Sequence, residues 1–238
     1  MLLLMSPHFL LIAMAVIPAA VLMRYVYRSD HLEKESPRLL GRLVVQGIIA
    51  TAVAALLEMI GQRFLGDPKT YRDLMWQCVF IGLAEEGAKF AFLYYRTWRN
   101  PEFNCQFDGV VYAVFVSLGF ALWENIRYVL SYGFSTALIR AVTAVPGHAC
   151  FGVFMGVWYG LAKRYELLGD MKSRKKCLVL SLILSAAVHA LYDYIAMSKS
   201  GSSEWIFFAF IAVLFFVSFR LVKKASAADN YLPRQSRY

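Results

Sequence analysis

The chain has 238 residues, of which 59% are hydrophobic, 16% aromatic and only 17% charged, with a net charge of +9 and a mean hydropathy of +0.52. A soluble domain carries about 45–50% apolar and about 25% charged residues, so these figures exclude a soluble globule, a disordered chain and a disulfide scaffold. What remains is an all-α, polytopic bundle of membrane helices, in which the positive charge reads as topology and not as affinity for nucleic acid.

A bilayer core takes about 20 apolar residues per helix. In chain order the sequence predicts seven spans, at about 2–27, 43–62, 74–95, 109–132, 137–162, 177–198 and 205–222. The first has Arg24 and Arg28 after its apolar run and no basic residue before it. It therefore reads as a retained anchor with its N-terminus outside, not as a cleaved signal peptide. Of the 25 lysines and arginines, 18 fall in or beside the first, third and fifth connections and the C-terminal tail. Four (Arg63, Lys69, Arg72 and Lys199) fall in the alternate connections, and three (Lys89, Arg127 and Arg140) fall within spans. That bias puts the N-terminus outside and the C-terminus in the cytoplasm, as an odd number of spans requires. No repeat divides the chain, so residues 1–238 form one integral-membrane domain. Trp76, Tyr132 and Trp205 sit at span boundaries and read as an interfacial belt. Gly152, Gly156 and Gly160 form a small-residue stripe for helix packing. The four cysteines (Cys78, Cys105, Cys150, Cys177) have no CxxC spacing, and suggest neither disulfides nor a thiolate zinc site.

An ionisable side chain inside a span costs ~2.5–3.5 kcal/mol on insertion scales, which makes it a functional candidate. Here such groups concentrate in four consecutive spans. The third carries Glu85, Glu86 and Lys89; the fourth, Glu124, Asn125 and Arg127; the fifth, Arg140 and His148; the sixth, His189 and Asp193. Glu58, in the second span, reads as an isolated extra, and Arg127 and Arg140 as side chains snorkelling to the outer interface. At about 1.5 Å per residue, Glu85 and His148 lie about 16–17 Å from the outer face, and Glu124 and His189 about 12–14 Å. The spans alternate in direction, yet the groups fall in one layer. A single polar cavity open to the outside would produce that. His189 and Asp193, like Glu85 and Lys89, are four residues apart and share a helix face. Lys89 can neutralise one of the two glutamates and leave the other as a general base. Pro146 and Gly147 predict a break at the start of the fifth span. Each pair also has a bland reading, as structural glue between helices. The shared depth is what that reading leaves unexplained.

The ordered set Glu85-Glu86-Gly87-Ala88-Lys89, Phe107-Asp108-Gly109-Val110-Val111-Tyr112, Phe120-Ala121-Leu122-Trp123-Glu124-Asn125, Pro146-Gly147-His148 and His189 to Asp193 resembles the PrsW family of bacterial intramembrane proteases. The resemblance covers about residues 75–195, and it is distantly shared with the type II CAAX prenyl proteases. It implies a multi-pass protein of the bacterial plasma membrane that cleaves a single-span protein substrate, with membrane lipid as its surroundings. It also implies site-1 cleavage of an anti-sigma factor on the extracytoplasmic side, in envelope-stress signalling.

The chemistry expected of these residues takes two forms. In the favoured one no cofactor is required: Glu85 or Glu86 activates water, His148 or His189 stabilises the oxyanion with Asn125 as a further donor, and Glu124 and Asp193 orient the histidines. In the other, His148, His189 and one or two of Glu86, Glu124 and Asp193 hold Zn2+. Two rivals stand outside proteolysis. A proton-coupled transporter would need a polar path reaching both faces, and a non-catalytic scaffold would need no cavity at all.

Overall fold

The computed structural model describes residues 7–198 and 203–233. Residues 2–6 of the first expected span, Lys199 in the link before the last span, and Arg234 and Arg237 of the tail lie outside them. The described residues form eight helices: α1 (Pro7–Ser29), α2 (Pro37–Leu65), α3 (Tyr71–Thr97), α4 (Asp108–Tyr132), α5 (Phe134–Val142), α6 (Ala144–Leu167), α7 (Met171–Met197) and α8 (Ser203–Ala227). By length and composition α1, α2, α4, the α5–α6 pair, α7 and α8 are six candidate crossings. α3 has 27 residues, about 40 Å of helix, and is also long enough, but Glu85, Glu86 and Lys89 interrupt its apolar surface.

Local chemistry sets the helix ends. Ser36 caps α2, its Oγ accepting the Leu39 N–H at 3.2 Å, with Pro37 in the first turn. Thr70 and Asp73 form a reciprocal capping box on α3. Asp170 caps α7 through the Ser173 N–H at 2.9 Å. Gly133, at φ +81°, separates α4 from α5 in a conformation that favours glycine.

The expected fifth span is two helices. The break falls at Thr143 (φ −118°, ψ −66°), three residues before Pro146. Pro146 instead occupies the first turn of α6, where its missing N–H leaves no helical bond unmade. α5 has nine residues, about 13 Å of helix, and cannot cross a bilayer. Its Phe134, Leu138 and Val142 repeat every four residues and are exposed, while Arg140 lies on the opposite side.

α4 is the central rod, buried on every side from Asp108 to Ala121. It packs on α6 through the glycine stripe: a Cβ on Gly156 would fall 2.5 Å from Val110 Cα, and one on Gly160 would strike the Gln106 carbonyl. α2 crosses α4 at a second such point, where Gly47 meets the Val116 carbonyl and Gly119 meets that of Val44. The outer helices turn large apolar residues outward, among them Leu56, Ile60, Val179 and Phe216, as a lipid-facing surface requires.

At the end that the charge bias assigns to the cytoplasm, called here the inner end, Asp30, Glu35 and Asp108 are buried and Asp229 is half-buried. Glu35 accepts the Tyr112 hydroxyl at 2.7 Å. Asp108 accepts the N–H groups of Asn104 and Cys105, and Asp229 those of Phe107 and Asn230. Both Asp30 carboxyl oxygens, Asp108 Oδ1 and Asp229 Oδ2 have no hydrogen-bond partner among the described residues. Burial pushes Glu35 up to about 7, against the bond from Tyr112, and Asp30 up to about 6, against the charge of Lys34.

Candidate functional site

The intramembrane charges of the third to sixth expected spans meet at one place. Lys89 is fully buried, and its Nζ donates to Glu86 Oε1 at 2.6 Å, to Glu85 Oε2 at 3.2 Å and to His148 Nδ1 at 3.0 Å. An ammonium has no lone pair to offer, so His148 Nδ1 must accept. The ring proton is then on Nε2, which donates to Glu124 Oε2 at 2.8 Å. Both nitrogens of His148 are committed.

His189 is held differently. Its Nδ1 donates to Glu86 Oε1 at 2.9 Å, and its ring stacks on Phe151 with centroids 4.5 Å apart. Its Nε2 is left facing Asp193 Oδ2 at 3.5 Å and Glu85 Oε2 at 3.9 Å. The rings of His148 and His189 lie 5.4 Å apart, nearly perpendicular.

The two glutamates differ in what they have left to do. Glu86 is fully buried and saturated by Lys89, His189 and the Ser185 hydroxyl, the last at 2.7 Å. Glu85 lines a cavity of about 410 Å3 together with Glu124, His148, His189 and Asp193. Glu86 and Asn125 are not among its lining residues. Asn125 is fully buried, its carbonyl accepting from Arg140 Nε at 3.0 Å while its Nδ2 has no partner among the described residues.

Three residues that the sequence did not mark for the site line the same cavity: Glu58 from α2, Arg127 from α4 and Arg140 from α5. Arg140 is bonded inward and does not snorkel, its Nη2 donating to Glu124 Oε2 at 2.9 Å. Its position in a span was the only available signal. Its partner Glu124 lies 16 residues away, beyond any helical period.

Toward the inner end the polar layer is closed by aromatic packing. Phe90, Trp98 and Phe103 surround Tyr159, whose hydroxyl is 2.8 Å from Thr97 Oγ1.

One ligand atom each from Glu85, Glu86, His148 and His189 lies within 4.8 Å of the others. Two imidazoles and two carboxylates are the donor types of a zinc site, so the set fits a metal ion in kind. The Lys89 ammonium lies among the same atoms and would have to give way.

Known proteins match the chain over most of its length. Residues 35–222, from the turn before α2 into α8, match the family described as PrsW family intramembrane metalloprotease. Protease PrsW of Halalkalibacterium halodurans is 34% identical over 222 residues, which is 93% of this chain and 100% of that protein. Protease PrsW of Geobacillus kaustophilus is 31% identical over 91% of this chain and 92% of its own length. Protease PrsW of Bacillus subtilis is 29% identical over 93% of this chain and 98% of its own length. No solved structure matches the chain. Matches of this extent settle membership: the chain is a multi-pass membrane protein of the PrsW family of intramembrane proteases.

Proposed function

We propose that the chain cleaves a single-span membrane protein near the extracytoplasmic face, as the site-1 step on an anti-sigma factor in envelope-stress signalling. The observation that carries the proteolytic reading is the cavity in which Glu85 and the free Nε2 of His189 face each other beside a buried ammonium. The outer-half depth of these groups supports the choice of face, and the family resemblance supports the choice of substrate.

Glu85 is the general base. It takes a proton from water in the cavity, and the hydroxide attacks the scissile carbonyl. His189, anchored through Nδ1 on Glu86, presents Nε2 to the forming oxyanion and donates to it as imidazolium. Glu85 then passes its proton to the leaving amine, giving an acid and an amine and restoring the carboxylate. Asp193 orients His189, and Glu124 orients His148, whose Nδ1 accepts from Lys89 and steadies that ammonium beside Glu85. Lys89 holds the glutamate pair in place.

A second reading has a specific observation behind it: the four donors within 4.8 Å and the metalloprotease description of the family. Glu85, Glu86, His148 and His189 would hold the ion. A zinc ion bound there would supply a polarised water and a Lewis acid for the carbonyl. Metal analysis of the purified protein separates the readings. The base mechanism predicts turnover that survives chelation, and stoichiometric zinc whose removal abolishes turnover contradicts it.

The proteolytic reading itself is tested in cells lacking the chain and supplied with wild type or His189→Ala, with new protein termini read by mass spectrometry. New termini in or just outside the spans of single-span proteins, present with wild type and absent with the variant, are expected. Identical termini in both strains contradict the reading.

A further inference from the structure

Arg140 stands outside the groups that face Glu85 and His189, yet it is bonded to two adjacent residues of α4. Nη2 donates to Glu124 Oε2 at 2.9 Å, and Nε donates to Asn125 Oδ1 at 3.0 Å. The guanidinium lies over the Tyr128 ring, 3.9 Å from its centroid. Three α4 side chains therefore fix the fork in place. A planar fork presents two nitrogens in fixed geometry to the two oxygens, which the single nitrogen of an ammonium does not reproduce. The orphaned Nδ2 of Asn125 fits this assignment: the amide is turned to give its oxygen to Arg140, and its donor is left unused.

The oxygen that Arg140 holds is the one that His148 Nε2 bonds. Lys89 holds the other edge of that ring, donating to Nδ1. The imidazole is thus clamped between Lys89 and a carboxylate that is itself clamped by Arg140. Arg140 comes from α5, which the Thr143 break detaches from the helix carrying His148. We infer that Arg140 is a positioning residue: it locks Glu124, and through it His148, and so makes catalysis depend on the short helix α5 being docked over the cavity. This rests on the proteolytic reading above.

The test uses the full-length protein in proteoliposomes with the purified single-span protein whose new terminus the cell experiment identifies. Wild type and Glu85→Gln are run first. If wild type does not cleave, the proteolytic reading fails and this inference falls with it. If wild type cleaves and Glu85→Gln does not, the reading stands and Arg140 is judged alone. Arg140→Ala is expected to lower kcat about 10- to 100-fold, the scale for displacing groups that hold a site in its reactive geometry. KM should stay within about threefold, since Arg140 spends its bonds on the protein and not on substrate. Added guanidinium should restore much of the loss, and urea should not. Arg140→Lys should fall between, keeping the charge and losing one of the two bonds. A wild-type kcat in Arg140→Ala overturns the inference. So does a loss that guanidinium leaves untouched, because that marks a role in holding the fold alone. Should Arg140→Ala fail to fold, Arg140→Lys and Asn125→Leu decide: lowered kcat at unchanged KM supports the inference, and wild-type kcat in both overturns it.

Discussion

The bundle buries two groups of acids, and they are stabilised in opposite ways. In the cavity Glu85, Glu86 and Glu124 are each within 3.2 Å of a lysine or arginine nitrogen. At the inner end no salt bridge reaches Asp30, Glu35, Asp108 or Asp229 among the described residues, and four of their oxygens have no donor. A buried carboxylate needs a counter-charge or a proton. The cavity supplies counter-charges, in the form of Lys89 and Arg140, whereas in the inner group burial shifts Glu35 and Asp30 toward the protonated form.

The comparison is broken most severely at Lys89. Lys89→Met leaves Glu85 and Glu86 buried without their ammonium, and removing one member of a buried pair costs about 3–5 kcal/mol. Thermal unfolding in detergent should show the largest loss of any single change in the cavity. Next comes Gly156→Leu, which drives a side chain into the α4 backbone at Val110, between the two groups. Overpacking costs about 1–3 kcal/mol, and it should lower unfolding temperature and turnover together, because α4 and α6 carry Glu124 and His148.

The inner group gives the smallest effect and the opposite sign. Glu35 holds its proton to about 7 in the folded chain, against an ordinary value of 4.5. Below pH 4.5 both states are protonated. Between 4.5 and 7 the unfolded chain releases a proton that the folded chain retains, so the stability that the protonated carboxyl provides is lost as pH rises through that window. Glu35→Gln removes the titration. Its melting temperature should match wild type near pH 4 and exceed it near pH 8, by an amount that partial solvation trims to about 1 kcal/mol. A variant less stable than wild type at pH 8 would mean that Glu35 is ionised and paired, and the contrast between the two regions would disappear.

Much of the cavity was legible in the sequence because its signals are local. Glu85 and Lys89, or His189 and Asp193, share a helix face by spacing alone, and depth follows from a fixed rise per residue. Six helices long and apolar enough to cross, with α3 beside them, follow from hydropathy in the same way. What was not legible depends on pairs far apart in the chain. Glu35 meets Tyr112 across 77 residues, Phe107 meets Asp229 across 122, and Gly47 meets Gly119 at a helix crossing. No periodicity encodes such contacts. The break at Thr143 was displaced from the Pro146 expected to cause it because proline is harmless in a first helical turn. Arg140 read as an interfacial anchor because nothing near it in sequence shows that Glu124 and Asn125 await it.

The most direct measurement is turnover per folded molecule of Glu85→Gln against wild type, on a co-reconstituted single-span substrate. Glu85 faces the cavity with one carboxyl oxygen uncommitted, and the amide conserves its shape while removing its basicity. The account predicts a fall in kcat of about 10²–10⁴-fold, the range for a general base, at an unfolding temperature close to that of wild type. Wild-type turnover in a folded Glu85→Gln protein would contradict it.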